Sequence, residues 1–482
     1  MHPLRIACLD KLNWRNRAYA LVLLCVTTAV PLPAQTFTTL HNFDNIDGPL
    51  GALVQATNGN LYGTTSGGGA ESAGTVFKIT PSGTLTTVYS FCARSGCSDG
   101  EFPYTGLVQA TNGSLYGTTT GGGANGDGTV FKITPSGVLT TLHSFDGTDG
   151  YLPCTALVQA TNGNLYGTTV QGGANGAGTV FKITPSGTLT TLYSFCSQSG
   201  CTDGKSPFSS LVQATNGNLY GTTFEGGADC VPDGCGTIFK ITPSGTLTTL
   251  HRFDFTDGVD PEAGLVEATN GNLYGTTADG GATDSGTVFK ITPSGTLTTL
   301  YSFCSQSNCA DGYDAADLVQ ATDGNFYGTT ELGGAHCVPD GGCGTIFKIT
   351  PGGVLTTLHS FDGTDGGNPE FGLTQDTNGK FYGTTQDDGS DNGGTIYSLS
   401  VGLGPFVETQ TSSGKVGAAV KILGTDLTGA TSVTFNGTAA TFTIVSKSEI
   451  TTTVPTGATT GPVKVVTPGG TLTSNVNFRV TP

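Results

Sequence analysis

Seven aspartates that each precede a glycine are the most repeated candidates for chemistry: Asp47, Asp99, Asp149, Asp203, Asp257, Asp311 and Asp365. A carboxylate at a glycine turn suits a hard cation, since calcium takes carboxylate and carbonyl oxygens. The same aspartate can instead hydrogen-bond its own turn, and the pattern does not separate the two. No EF-hand loop is present, and the densest local cluster, Asp387, Asp388 and Asp391, is sparse. Metal ligation is therefore unassigned and no cofactor is expected, with calcium left open. Asp260 and Glu262 join Asp257 in the most acidic of these loops and complete the candidate binding set.

A glycosidase needs two carboxylates flanking one bond. Glu225, Glu262, Glu331 and Glu370 break the repeat and are the candidates, but they fall in different repeats. A Ser-His-Asp triad has no G-x-S-x-G elbow here. His41, His143, His251 and His359 alternate with Tyr89, Tyr193 and Tyr301, so they are spread rather than gathered. No catalytic residue is assigned.

These residues are positioned by a repeat. The token LYGTT or FYGTT places tyrosines at 62, 116, 166, 220, 274, 327 and 382. A period of 50–55 residues means stacked supersecondary units, each too small to bury its own apolar face. In the first unit LVQAT leads through Asn58-Gly59 to LYGTT, then a Gly-rich loop, GTVFKIT, Pro81-Ser82-Gly83 and TLTTVYSF. These are four short runs of β-branched and aromatic residues between turn formers. Asn-Gly predicts a type I′ hairpin. Four strands in a meander predict a propeller blade, and a β-solenoid is the alternative.

The seventh unit stops at Gly394–Ser400 without its last strand, and a spare copy stands upstream at Thr36–Phe43. The expectation is all-β: a seven-bladed β-propeller of four-stranded blades over 36–400, its last blade closed by 36–43. A linker at 401–404 and a small immunoglobulin-like β-sandwich at 405–482 follow. With the spare strand outermost, LVQAT is innermost. The long variable loops then share one face and the Asn-Gly and Pro-Ser-Gly turns the other.

Residues 1–34 read as a secretory signal: Lys11, Arg15 and Arg17, an apolar run from Ala18 to Val30, then a cleavage site after Ala34. An uncleaved anchor is the alternative. Removing this segment leaves 35 acidic and 15 basic residues, and 29 of those acids lie in the long loops. Such a field repels nucleic acid and attracts cations or basic partners. Secretion and close spacing predict disulfides Cys92–Cys97, Cys196–Cys201, Cys230–Cys235, Cys304–Cys309 and Cys337–Cys343. Paired-thiolate metal binding is the alternative, and Cys154 is left free.

Gly106-Leu107-Val108 and Gly264-Leu265-Val266 carry a resemblance to the GloVer tandem repeat, which covers residues 36–400. It implies secreted bacterial proteins with a choice of C-terminal anchor, and no activity. Gly417, Gly424, Phe435-Asn436-Gly437, Val454-Pro455 and Pro468-Gly469-Gly470 resemble an IPT/TIG domain, which implies a spacer or adhesion module. The expected function is a non-catalytic, secreted or cell-surface, monomeric repeat protein without a membrane span. It would bind a protein, glycan or cation through its acidic, disulfide-pinned loop face. An extracellular glycosidase or lyase is the alternative.

Overall fold

The computed structural model describes residues 35–44, 48–227, 230, 234–336 and 342–481. The expected leader, Asp47 and Cys337 lie outside the described residues. Each repeat forms an antiparallel sheet in chain order. In the second repeat its strands are Val108–Gln109, Leu115–Thr119, Thr129–Ile133 and Leu139–Ser144. Seven such sheets stand among the described residues, the sixth with one extra short strand, Tyr313–Ala315. The array is propeller-like. Thr36–Asp44 leaves its neighbours in sequence and pairs antiparallel with Asn392–Ser400, Thr36 opposite Ser400 and Asn42 opposite Thr395. It is the outermost strand of the last sheet.

The LYGTT or FYGTT segment of each sheet is wholly buried. Its central glycine cannot be replaced: a Cβ on Gly117 would lie 2.7 Å from both Leu107 and Phe131. The tyrosine before it fills the core, and its hydroxyl must find a partner there. Asn112 Nδ2 donates to Tyr116 OH at 2.8 Å, while Asn112 Oδ1 accepts the Ser114 N–H at 3.0 Å.

That double role overturns the expected turn type. Gly113 has φ 84°, but Asn112 is not in the left-handed region. Gly113 N–H donates to Ala110 O at 2.8 Å and Ala110 N–H to Ser114 O at 2.9 Å. This is a type I turn closed by a glycine bulge. Ala110 already belongs to the turn, so the innermost strand shrinks from the expected five residues to Val-Gln.

Neighbouring sheets share cores. Tyr62, Val76 and Phe91 of the first repeat pack with Leu107 and Phe131 of the second. Phe43, Leu53 and Phe77 pack with Tyr382 and Ile396, joining the last repeat to the first. Each fully buried side chain of this size contributes roughly 1.5–3 kcal/mol. One polar link recurs beside them. Gln109 Oε1 accepts the Thr57 N–H at 2.8 Å, Gln159 that of Thr111 at 2.9 Å, and Gln213 that of Thr161 at 2.8 Å. Glu267, Gln320 and Gln375 continue with Thr215, Thr269 and Thr322. Gln55 then accepts the Thr377 N–H at 3.0 Å, from the last repeat back to the first.

After Ser400, two four-stranded sheets face each other over Val407, Ile422, Leu427, Val433, Phe435 and Ile450. This sandwich rests on the turn end of the repeats. Ser448 Oγ donates to Thr57 O at 2.7 Å, Gln410 Nε2 to Gln109 Oε1 at 3.2 Å, and Phe406 N–H to Thr377 O at 3.0 Å.

Asp376 lies at this junction, where the other repeats have Ala56, Ala110, Ala160, Ala214, Ala268 and Ala321. It is 1 % exposed and its Oδ2 has no partner. Burial pushes its carboxyl up to about 6. The protonated form therefore favours the fold: that contribution is complete below the ordinary value near 4 and is lost as pH rises through 6. Asp376→Ala should stabilise the protein by about 1–3 kcal/mol at pH 7.5 and much less at pH 4. Denaturant titrations at the two pH values check this, and destabilisation at pH 7.5 would contradict it.

Candidate functional site

The loop leading into each innermost strand ends the same way in most repeats. In five of them a proline, at 103, 153, 207, 261 or 369, is followed by a residue that changes: Tyr104, Cys154, Phe208, Glu262 and Glu370. The residue before each proline holds positive φ: Phe102 57°, Leu152 54°, Ser206 54°, Asp260 54° and Asn368 54°. Bulky side chains rarely adopt that conformation, which costs on the order of 1–3 kcal/mol. The turn it makes aims the residue after proline inward. All five of those residues line one cavity of about 220 Å³, to which all seven repeats contribute.

The sixth repeat lacks the proline and is one residue shorter between its Asp-Gly and its Leu318. It supplies Asp314 and Asp317 instead, and Glu331 from the end of the strand Phe326–Leu332. Among the described residues, no lysine, arginine or histidine lines the cavity. Burial, then the charges of Asp314, Asp260, Glu370 and Glu331, pushes Glu262 up to about 7. Burial, then Glu331 and Asp279, does the same for Asp314, also to about 7. Asp260 at the rim rises to about 6, through burial and then Asp279, Glu225 and Asp314. Glu331 and Glu370 are raised by burial above all. Tyr104 OH donates to Glu370 Oε1 at 3.2 Å, leaving Glu370 Oε2 out of solvent with no partner. Asp317 accepts the Gly264 N–H, and burial raises its carboxyl. Cys154 is free, and burial pushes its thiol up to about 12, so it is no ready nucleophile.

The repeated aspartates do not gather here. Asp99, Asp203 and Asp311 are fully buried. Asp99 Oδ2 accepts Tyr89 OH at 2.7 Å and the Ala93 N–H at 3.0 Å, and its Oδ1 accepts the Arg94 N–H at 3.2 Å. Asp203 and Asp311 do the same beneath their own loops. Disulfides Cys92–Cys97, Cys196–Cys201 and Cys304–Cys309 close these loops. Cys230–Cys235 is also bonded. Where the disulfide is missing, histidine replaces tyrosine. His143, His251 and His359 Nε2 lie 2.7, 2.8 and 2.7 Å from Asp149, Asp257 and Asp365. Each of these carboxylates therefore already serves its own loop.

Asp260 and Glu262 are the members of the candidate set that reach the acid cluster. Of the repeat-breaking glutamates, Glu262, Glu331 and Glu370 line the cavity, whereas Glu225 pairs with Lys205 at 3.0 Å. Among the described residues, one group of three potential metal ligands lies within 4.8 Å: Cys92, Cys97 and Glu101. Its two cysteines are bonded to each other. The sequence reading passed over Asp314, Asp317, Tyr104 and Phe208. The signal was present: the residue after the loop proline varies while its neighbours repeat.

Glu262 carries a testable linkage. Its folded pKa near 7 exceeds the ordinary 4.5, so its stabilising contribution is complete below 4.5 and is lost as pH rises through 7. Part of the Glu262 side chain is in solvent, which screens the effect, so Glu262→Gln should raise the melting temperature by only about 1–2 °C at pH 8 and leave it unchanged at pH 4. Calorimetric scans at both pH values decide it; equal shifts at the two would clear the carboxyl of this role.

Solved structures with a similar fold include a fungal alcohol oxidase of the AA5 family in complex with copper. It is 12% identical with a TM-score of 0.51, over 91% of this chain and 98% of that one. A luciferin-regenerating enzyme is 11% identical with a TM-score of 0.42, over 77% and 98%. A Mycobacterium tuberculosis puromycin-hydrolyzing peptidase is 10% identical with a TM-score of 0.47, over 81% and 60%. At such identities the likeness concerns fold alone, and only the oxidase scores high enough to bear on it. No curated protein matches in sequence. The Gloeobacter/Verrucomicrobia repeat matches twice in tandem, over residues 28–232 and 229–445, and the chain belongs to this repeat family.

Proposed function

We propose that this is a secreted, non-catalytic binding protein that takes a positively charged partner at the acid-lined cavity. The observation that carries the reading is electrostatic: carboxyls from the fifth, sixth and seventh repeats meet in one cavity with no basic side chain among the described residues to balance them. A cation would offset the repulsion among those carboxyls and favour their ionised forms. The scaffold is read as a closed seven-bladed propeller, supported by the glutamine links and by the core shared between the last and first repeats. The C-terminal sandwich is read as an IPT/TIG-type spacer, seated on the end away from the acids. Secretion is supported by the disulfides and by the expected leader. Among the described residues, no helix is long and apolar enough to cross a membrane.

One observation favours a second reading. Glu262 and Asp314 are pushed up to about 7, by burial first and neighbouring carboxylates second, and a raised carboxyl is what a general acid on a glycan would need. Both readings are tested with the wild type and the double variant Glu262→Gln/Glu370→Gln. A thermal-shift screen of metal salts, amines, basic peptides and neutral oligosaccharides should find stabilisation by cations. That stabilisation should weaken with salt and vanish in the variant. Oligosaccharide chains should stay intact by chromatography. Glycan shortening that the double substitution abolishes would replace binding with catalysis.

A further inference from the structure

The cavity wall is not only acidic. Tyr104, Phe208 and Phe371 line it beside the carboxyls, and Tyr104 and Phe371 meet edge to face at 6.2 Å. Asp317, half-buried beside them, accepts the Gly264 N–H on Oδ1. Glu370 Oε2 is unpartnered. A buried acceptor left without a donor is destabilising, so the Glu370 oxygen points to a missing donor. A calcium ion needs six to eight oxygens at about 2.3–2.6 Å. The cavity carboxylates are not grouped that closely: the one such triad among the described residues is at Cys92, Cys97 and Glu101. An ammonium group has three donors and can serve acceptors that are spread out. Aromatic faces also attract such a cation when it is desolvated. About 220 Å³ is on the order of seven water volumes, so the ligand is small.

We infer that the cavity binds a small organic amine, an ammonium group on an apolar body, with Glu370, Asp317 and Glu262 as its acceptors and Tyr104, Phe208 and Phe371 as its wall. The inference rests on the reading of this cavity as the binding site.

Isothermal titration calorimetry of the full chain tests it, with a panel of primary and quaternary amines of four to ten heavy atoms. Calcium chloride, neutral alcohols of matching shape and a neutral oligosaccharide serve as comparisons. At pH 8 at least one amine should bind saturably, and its alcohol counterpart should not. Near pH 7 binding should release protons, and at pH 5, where Glu262 and Asp314 are largely neutral, it should weaken about tenfold or more. Glu370→Gln should weaken it about tenfold, and Phe208→Ala several-fold through the wall alone, each with unchanged circular dichroism. Calcium or oligosaccharide binding that Glu262→Gln abolishes, with no amine bound, would keep the cavity as the site and overturn the amine. No binding of any class would overturn both.

Discussion

The hydrogen bond on which the rest of the structure depends links the side-chain oxygen of an innermost-strand glutamine to the threonine N–H of the repeat before it. The innermost strands are only two residues long in most repeats, so their backbone ladders hold them weakly. The side-chain link supplies what the ladder lacks, and it runs from each repeat to the next and from the last back to the first. Glu267 takes the same place with a carboxylate and engages both the N–H and the hydroxyl of Thr215. Each link is worth only about 1 kcal/mol. Its larger effect is geometric, since fixing the innermost strands fixes the loops that lead into them.

Repetition then explains why chemistry collects where it does. A residue whose environment recurs in every repeat is held to one type or a near match: tyrosine over asparagine, with aspartate at 323, glycine under phenylalanine, with tyrosine at 397, and threonine against threonine. The position after the loop proline faces the cavity rather than the next sheet. Tyrosine, cysteine, phenylalanine and glutamate can therefore stand there in turn without disturbing any core. The strained residue before each proline is the cost of aiming that position inward. Asp376 shows the opposite case. It puts a carboxylate where six repeats have a small apolar side chain, and nothing pairs with one of its oxygens.

Much of this was legible from the chain. The missing strand after Ser400 and its spare copy at Thr36 located the pairing of the two ends, because a strand without a partner cannot stay open. Turn chemistry was less legible. Asn-Gly reads alike whether asparagine adopts positive φ or anchors a buried tyrosine hydroxyl, and only the position of Tyr116 decides. The repeated aspartates were prominent because they repeat, and that is also why they are structural: Asp99 and Asp149 answer the local needs of a loop. Glu262 and Glu370 stood out as departures from the pattern. What could not be read was that departures 108 positions apart in sequence would share one cavity, since convergence depends on the number and tilt of the sheets between them.

The two ends of the molecule differ in kind, and that difference limits what can reach the cavity. At the turn end the sandwich lies against the first, second and seventh repeats through Ser448, Gln410 and Phe406. Glu408 lines a groove there with the innermost strands. The cavity lies at the other end, among the acidic loops that the disulfides close. A ligand arriving from solution therefore meets the negative loops first, and its charge is attracted before any contact forms. Long-range attraction of this sort is screened over about 8–10 Å by salt, whereas close contacts inside the cavity are screened less. Approach and retention should then respond differently to ionic strength: the association rate falls as salt rises, while dissociation, set by the desolvated carboxyls and rings, changes little.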